Sequence, residues 1–269
     1  MIKGKEIILA GGTGGLGAAT ATLLTSEGAQ VILSYRANHT RAEAVGQTGG
    51  LVQADLTSEE DRTALLDAAS SLYGLVILTG DPARGANLTE TLPRSFEVNF
   101  EGPILLARDA AERALALDPN LPEAHAVIGI IKTSYDWDWA GADASFQRAL
   151  ALDAGNVTTI SNAARLSAAL GRFDETLGLV RRAVELDPLN TTTHFRHCLI
   201  AYYAGKLDEA ESACKKALEI NPTRPLAHYY LGRINLAQLH PQEALAAAER
   251  EPEEWAGRTS KALHSPTTH

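Results

Sequence analysis

From about Ala107 to about Gly257 the chain repeats itself every 34 residues, and a period of that length leaves few folds open. Asp118-Pro119, Asp153-Ala154, Asp187-Pro188 and Asn221-Pro222 each close an apolar helical stretch, reading ALALD, ALALD, AVELD and ALEIN. Turns such as Gly171-Arg172-Phe173-Asp174-Glu175 and Gly205-Lys206-Leu207-Asp208-Glu209-Ala210 precede these stretches. One period therefore holds two helices and a turn. Such a unit cannot bury its apolar face alone, so neighbours must stack into a solenoid. Small residues recur where paired helices would touch: Gly129, Ala164, Cys198 and Gly232 at one position, Ala142, Thr176, Ala210 and Ala244 at another. The first interval is one residue longer, and the extra residue is placed within Tyr135–Gly141, whose Trp137 and Trp139 are read as core and turn packing.

The helix–turn–helix period and these residues resemble the tetratricopeptide-repeat family. That resemblance implies an all-α array over about residues 107–258 and a concave binding surface on the first helix of each pair. Repeat position places Arg165, Phe195, Arg196, Leu199, Tyr202, Tyr229, Tyr230 and Arg233 there. Arginine and tyrosine favour binding hot spots, so a peptide or protein partner with acidic groups or a terminal carboxylate is expected. Cys198 and Cys214 read as small core residues, and so few cysteines argue for a reducing compartment rather than a disulfide scaffold. His194 and His197 have a metal-compatible spacing but no evident third ligand, so no metal is expected. The charged run Glu249–Glu254 reads as a cap and residues 259–269 as a disordered tail.

The first hundred residues follow a different rule. Ile7-Ile8-Leu9, Val31-Ile32-Leu33, Leu51-Val52 and Leu75–Leu78 are short apolar runs without alternation, as in parallel strands covered on both faces. Helical spacing fills the gaps at Leu16–Ser26, Arg41–Val45 and Glu59–Leu72. This order builds a doubly wound α/β sheet, truncated here at about four strands. After the first strand, Gly11, Gly15 and Gly17 let a backbone approach a pyrophosphate at a helix N-terminus.

AGGTGGLG, with VILSYR at the second strand and ADLTSEED after the third, resembles the N-terminal half of short-chain dehydrogenases/reductases over about residues 3–108. By that resemblance Gly11, Thr13, Gly15, Leu16 and Gly17 line the phosphates, and Asp55 and Leu56 flank an adenine. Arg36 stands where an acidic residue would select NAD; it either pairs with the 2′-phosphate of NADP or is simply a solvated arginine. Departures follow. Ile77-Leu78-Thr79-Gly80 replaces the family's Asn-Asn-Ala-Gly, and Asn99, in SFEVNFEGPILLARDA, is nearly the last family residue present. The catalytic serine and the Tyr-x3-Lys pair are missing from their expected places. Tyr202 and Lys206 have the spacing, but they fall in a repeat turn.

The expected organisation is a Rossmann-like half-domain over residues 1–106, the repeat array over 107–258 and the tail, joined through one helix near Pro103–Leu117. A sheet cut short exposes an apolar edge, for which the array or a second copy of the chain is the natural cover. A net charge of −9 makes nucleic acid and acidic membrane poor partners. No apolar run approaches membrane-spanning length, so a cytoplasmic protein is expected. Two functions follow: an interaction scaffold with residual NADP(H) binding, or an NADP-dependent oxidoreductase or sensor completed by a partner.

Overall fold

The computed structural model describes residues 2–45, 49–80 and 88–250. Its contacts divide the chain into two units, residues 1–131 and the residues from Lys132 onward.

In the first unit β1 (Glu6–Ala10), β2 (Gln30–Tyr35), β3 (Gly50–Gln53) and β4 (Leu72–Ile77) form one parallel sheet in the order β3-β2-β1-β4. Ile8 stands opposite Ile32 on one side and Leu75 on the other. Successive side chains point to opposite faces, and both faces are covered. Ile7, Leu9, Val31 and Leu33 pack with Ala21 of α1 (Gly15–Ser26) and Ala42 of α2 (His39–Ala44). Ile8, Ala10 and Ile32 pack with Leu65 and Leu66 of α3 (Glu59–Asp67) and Leu106 of α5 (Gly102–Leu117). This explains why the strands read as unbroken apolar runs. Between β4 and α5 lie α4 (Leu88–Phe96) and a π-type turn at Glu97–Glu101.

The expected third helix runs too far. Ser58 caps α3, accepting from the Asp61 N–H, and the helix stops at Asp67 rather than Leu72. Ser70 and Ser71 instead donate from hydroxyl and backbone N–H to the Glu6 carboxylate, which turns the chain into β4.

Helix α5 serves two neighbours. Leu106 is fully buried on the sheet side, and the Arg62 Nε donates to Asp109 at 2.6 Å while its Nη1 donates to the Leu56 carbonyl. Arg113 pairs with Asp67 one turn further along. Helix α5 also packs on α6 (Pro122–Ile131) as repeat helices do. β1 is the only strand paired with β4 among the described residues, so the sheet ends on β4.

The second unit opens with a π-type turn at Lys132–Asp136 and continues as α7 (Trp139–Leu152), α8 (Val157–Ala169), α9 (Phe173–Leu186), α10 (Thr191–Tyr203), α11 (Leu207–Ile220), α12 (Ala227–Ala237) and α13 (Pro241–Ala248). Each period is written in hydrogen bonds. Asp153 Oδ1 accepts from the Gly155 N–H, and Asn156 caps α8 by accepting from the Thr159 N–H. Before α10 the Asn190 side-chain amide donates to Asp187 Oδ2, and Asn190 Oδ1 caps the helix by accepting from the Thr193 N–H. The turns inside the hairpins share a left-handed residue at Trp137, Gly171, Gly205 and Leu239, each 34 after the last. The extra residue therefore lies before Trp137, where the π-type turn absorbs it: the Asp138 N–H reaches back to the Lys132 carbonyl, against Arg172 to Ser167 in the next turn. Trp137 is 72% exposed and so is not core packing.

The recurring small residues are buried as the repeat requires; a Cβ on Gly232 would stand 3.2 Å from the Ala244 carbonyl oxygen. Cys198 on α10 and Cys214 on α11 are fully buried, as expected, but they are bonded to each other, with their Cα atoms 5.0 Å apart across the hairpin. Joined in this way, the two cysteines do not point to a reducing compartment. No helix among the described residues is long and apolar enough to cross a membrane, and no group of three or more metal-ligating residues occurs among them. Most of the charged run at 249–254 and the tail at 259–269 lie outside the described residues.

Candidate functional site

A cleft of about 560 Å³ opens at the carboxyl ends of the strands, beside the reversal in strand order between β1 and β4. Gly11, Thr13, Gly15, Arg36, Asp55 and Leu56 line it. Leu16 and Gly17 do not appear in that lining. Leu16 is 70% exposed on the first turn of α1, and Gly17 is a packing residue whose added Cβ would stand 2.6 Å from the Gly12 Cα. Gly11 is required twice: its φ is +82°, and a Cβ there would strike the Leu78–Thr79 backbone at 2.7–2.8 Å. At Gly14 and Gly15 a Cβ would meet nothing within 4 Å. No side chain caps α1, so its first-turn N–H groups remain for a ligand at the cleft.

Several lining residues escaped the sequence reading. Ser34, buried at the end of β2, accepts from the Gly11 N–H at 3.3 Å and fixes the glycine turn. Arg41 reaches the cleft from α2. Thr79, just after β4, carries a buried hydroxyl with no hydrogen-bond partner among the described residues. Burial opposes ionisation of Asp55, but the Thr57 N–H and hydroxyl at 3.1 and 2.9 Å, with the charges of Arg36 and Arg94, outweigh it and lower its pKa. Asn99 does not line the cleft; its amide donates to the Ser95 hydroxyl. Tyr202 stands at the end of α10, and Lys206 is the N-cap of α11.

These residues fit a dinucleotide phosphate: an uncapped helix N-terminus over glycines with open space, a cation pair, and an orphaned hydroxyl. A nicotinamide dinucleotide, were it bound, would supply a hydride; the uncapped α1 turn would meet its phosphates, and Arg36, Arg41 and the ionised Asp55 would stand beside it.

The second candidate site is the row formed by α8, α10 and α12. Phe195 is not on its surface: it is 6% exposed in the core, with the Arg224 guanidinium 4.8 Å above its ring. Leu199, Tyr202 and Tyr230 pack half-buried against that core. Arg233 lies over the rings of Tyr202 and Tyr229, at 5.2 and 5.8 Å. Tyr230 bonds the Tyr203 hydroxyl at 3.2 Å, and burial followed by that bond pushes its pKa up to about 12. Arg196 is half-buried, and burial together with the like charge of Arg165 lowers its pKa. Neither Arg165 nor Arg196 has an acidic partner within 4.0 Å among the described residues.

Fold and sites together define a chain of two kinds: a Rossmann-like half unit resembling a short-chain dehydrogenase, followed by a tetratricopeptide-repeat solenoid. Residues 5–116 match the family model described as short chain dehydrogenase. The chain is 38% identical over 145 residues to the 3-hydroxyacyl-CoA dehydrogenase type-2 of Drosophila melanogaster, covering 48% of this chain and 56% of that protein. It is 31% identical over 147 residues to the 3beta-hydroxysteroid dehydrogenase 1 of Eggerthella lenta, covering 47% and 56%. The chain thus spans about half the length of these curated relatives. Among solved structures it resembles MamA, with TM-score 0.52 and 16% identity over 67% of this chain and all of that one. It also resembles YrrB, described as a TPR protein with an unusual peptide-binding site, with TM-score 0.54 and 22% identity over 65% and 90%. At those identities the likeness establishes the repeat fold alone.

Proposed function

We propose that the chain is an interaction scaffold whose repeat groove takes an acidic peptide, attached to a unit that retains NADP(H) binding without the family's catalytic set. The observation that carries the groove reading is the Arg165–Arg196 pair. Two like charges within electrostatic reach of each other, one of them half-buried and neither facing an acid among the described residues, would be stabilised by an incoming carboxylate. The adjoining tyrosines and Arg233 supply apolar and hydrogen-bonding surface of the hot-spot kind. The test is binding of the purified chain to an array of random peptides graded in charge. Enrichment of Asp- and Glu-containing sequences supports the reading; enrichment of basic sequences, or none, rejects it.

The cleft favours a second reading, an NADP-dependent oxidoreductase or sensor completed by another chain, and a second copy covering the β4 edge belongs to it. Calorimetric titration with NADPH, with Gly15→Trp to fill the open space at the turn, tests the cofactor part. Saturable heat lost in the variant supports it, and silence from folded protein rejects it.

A further inference from the structure

Cys198 and Cys214 are the only cysteines in the chain, so the hairpin of α10 on α11 is the one repeat hairpin closed by a covalent bond. In the preceding hairpin the same two positions, 34 residues earlier, hold Ala164 and Val180, which pack buried with no bond between them. Stacking the repeat therefore does not require sulfur at this place. The bonded pair lies in the core on which the groove residues Leu199, Tyr202 and Tyr230 rest. It also reaches the next repeat: Cys214 Sγ stands 3.8 Å from the carbonyl oxygen of Ala227, the first residue of α12. One residue before Cys198, His197 bonds Glu209 of α11, so α10 is tied to α11 at two successive positions. Helix α10 carries Arg196 and Tyr202, and Arg233 of α12 lies over the Tyr202 ring.

We infer that the Cys198–Cys214 bond is a redox switch on the groove: closed, it holds α10 and α12 in the arrangement that takes an acidic peptide, and reduction by a dithiol weakens that binding. The inference rests on the reading that the groove binds such a peptide. The chemistry is thiol–disulfide exchange. One thiolate of the reductant attacks a protein sulfur and breaks the S–S bond, and its second thiol then displaces the other. Two electrons and two protons pass to the protein, leaving two thiols, and the reductant departs as its own disulfide. Unbonded sulfurs must separate to van der Waals contact, and both sit where no exposed volume exists to absorb the change. The extra room comes from moving α10 against α11 and α12. The Cys214 thiol, now a weak donor, faces the Ala227 carbonyl and draws the start of α12 into the change. A groove preorganised by the bond thus loses the mutual placement of Arg196, Tyr202 and Arg233. Because the sulfurs are buried, reduction waits on a local opening of these helices. A peptide lying across them holds the bond closed, by the reciprocity of linked equilibria.

The test is fluorescence anisotropy of a labelled Asp/Glu-rich peptide on the full chain, oxidised and then reduced with dithiothreitol until two free thiols are counted. Affinity should fall about tenfold on reduction, within the range usual for coupled sites. Cys198→Ala/Cys214→Val, which copies the unbonded pair of the preceding hairpin, should bind with one affinity whatever the reductant. In dithiothreitol redox buffers, saturating peptide should move the midpoint potential of the bond about 30 mV more negative, the equivalent of a tenfold preference for the oxidised form. A bond that only staples the hairpin leaves that potential unmoved. Equal peptide affinity in the oxidised and reduced chains would overturn the inference while leaving the groove reading intact. A reduced chain that loses its helical circular dichroism would also overturn it, since the bond would then be a staple. Absence of peptide binding in both forms would remove the groove reading and the inference together.

Discussion

Leu239→Gly should make the protein more stable, although it deletes a large apolar side chain. Leu239 occupies the left-handed turn between α12 and α13, with φ 64°, where two equivalent turns use Gly171 and Gly205 at φ 74° and 72°. The same hydrogen bonds close all three: His240 N–H to the Asn235 carbonyl, Lys206 to Ala201, Arg172 to Ser167. A residue with a Cβ loses roughly 1–2 kcal/mol in this conformation. Leu239 is 85% exposed, so little packing is forfeited on truncation. Glycine makes the unfolded chain more flexible, which takes back about 0.4–1 kcal/mol. The net expectation is a gain of about 0.5–1 kcal/mol, read as a higher urea midpoint at unchanged slope. Gly205→Ala is the mirror control and should lose about 1 kcal/mol. A lower midpoint for Leu239→Gly, with Gly205→Ala neutral, would refute the idea that backbone conformation governs this turn.

Three further expectations concern how the two units hold together internally. Arg181 donates to both Glu209 oxygens, and that pairing, opposed by burial and reinforced by His197, lowers the Glu209 pKa to about 2. A depressed carboxylate stabilises fully above its unfolded value of 4.5, and the contribution fades as pH falls toward 2. Arg181 is half exposed, so solvent screening limits the effect to about 1–2 kcal/mol; urea titrations of Glu209→Gln should lie below wild type at pH 7 and converge with it near pH 2. Reducing the Cys198–Cys214 bond releases a loop with a sequence separation of 16, and dithiothreitol should lower stability by about 3 kcal/mol, with a double Cys→Ser variant indifferent to reductant. Arg62→Ala leaves Asp109 of α5 without its partner and the Leu56 carbonyl without its donor; a loss of about 3–5 kcal/mol in denaturant unfolding is expected, and a loss under 1 kcal/mol would count against the role given to α5.

The repeat was legible because its grammar is local. Asn156 and Asn190 cap the helices they precede, and the left-handed turns recur at a fixed interval whether or not glycine is present. Strand runs and the glycine turn were legible for the same reason. What stayed hidden depends on residues brought together from afar. Ser34, Arg41 and Thr79 reach the cleft from three different elements and share no motif. Leu16 sits inside the motif and points away from the cleft, since one step along a helix turns a side chain by about 100°. The Cys198–Cys214 pairing needed the register of α10 on α11, which periodicity alone did not supply. Phe195 falls at a concave position by counting, yet the next helix pair closes over it.

We propose that the groove is an acid-recognising surface, and its response to charge reversal tests this most directly. Fluorescence anisotropy of a labelled Asp/Glu-rich peptide would be compared between wild type and Arg165→Glu/Arg196→Glu, at low and physiological salt. The prediction is a loss of about tenfold or more in the variant, with wild-type affinity falling as salt rises. Equal affinity in both proteins, or equal binding of a lysine-rich peptide by wild type, would contradict it.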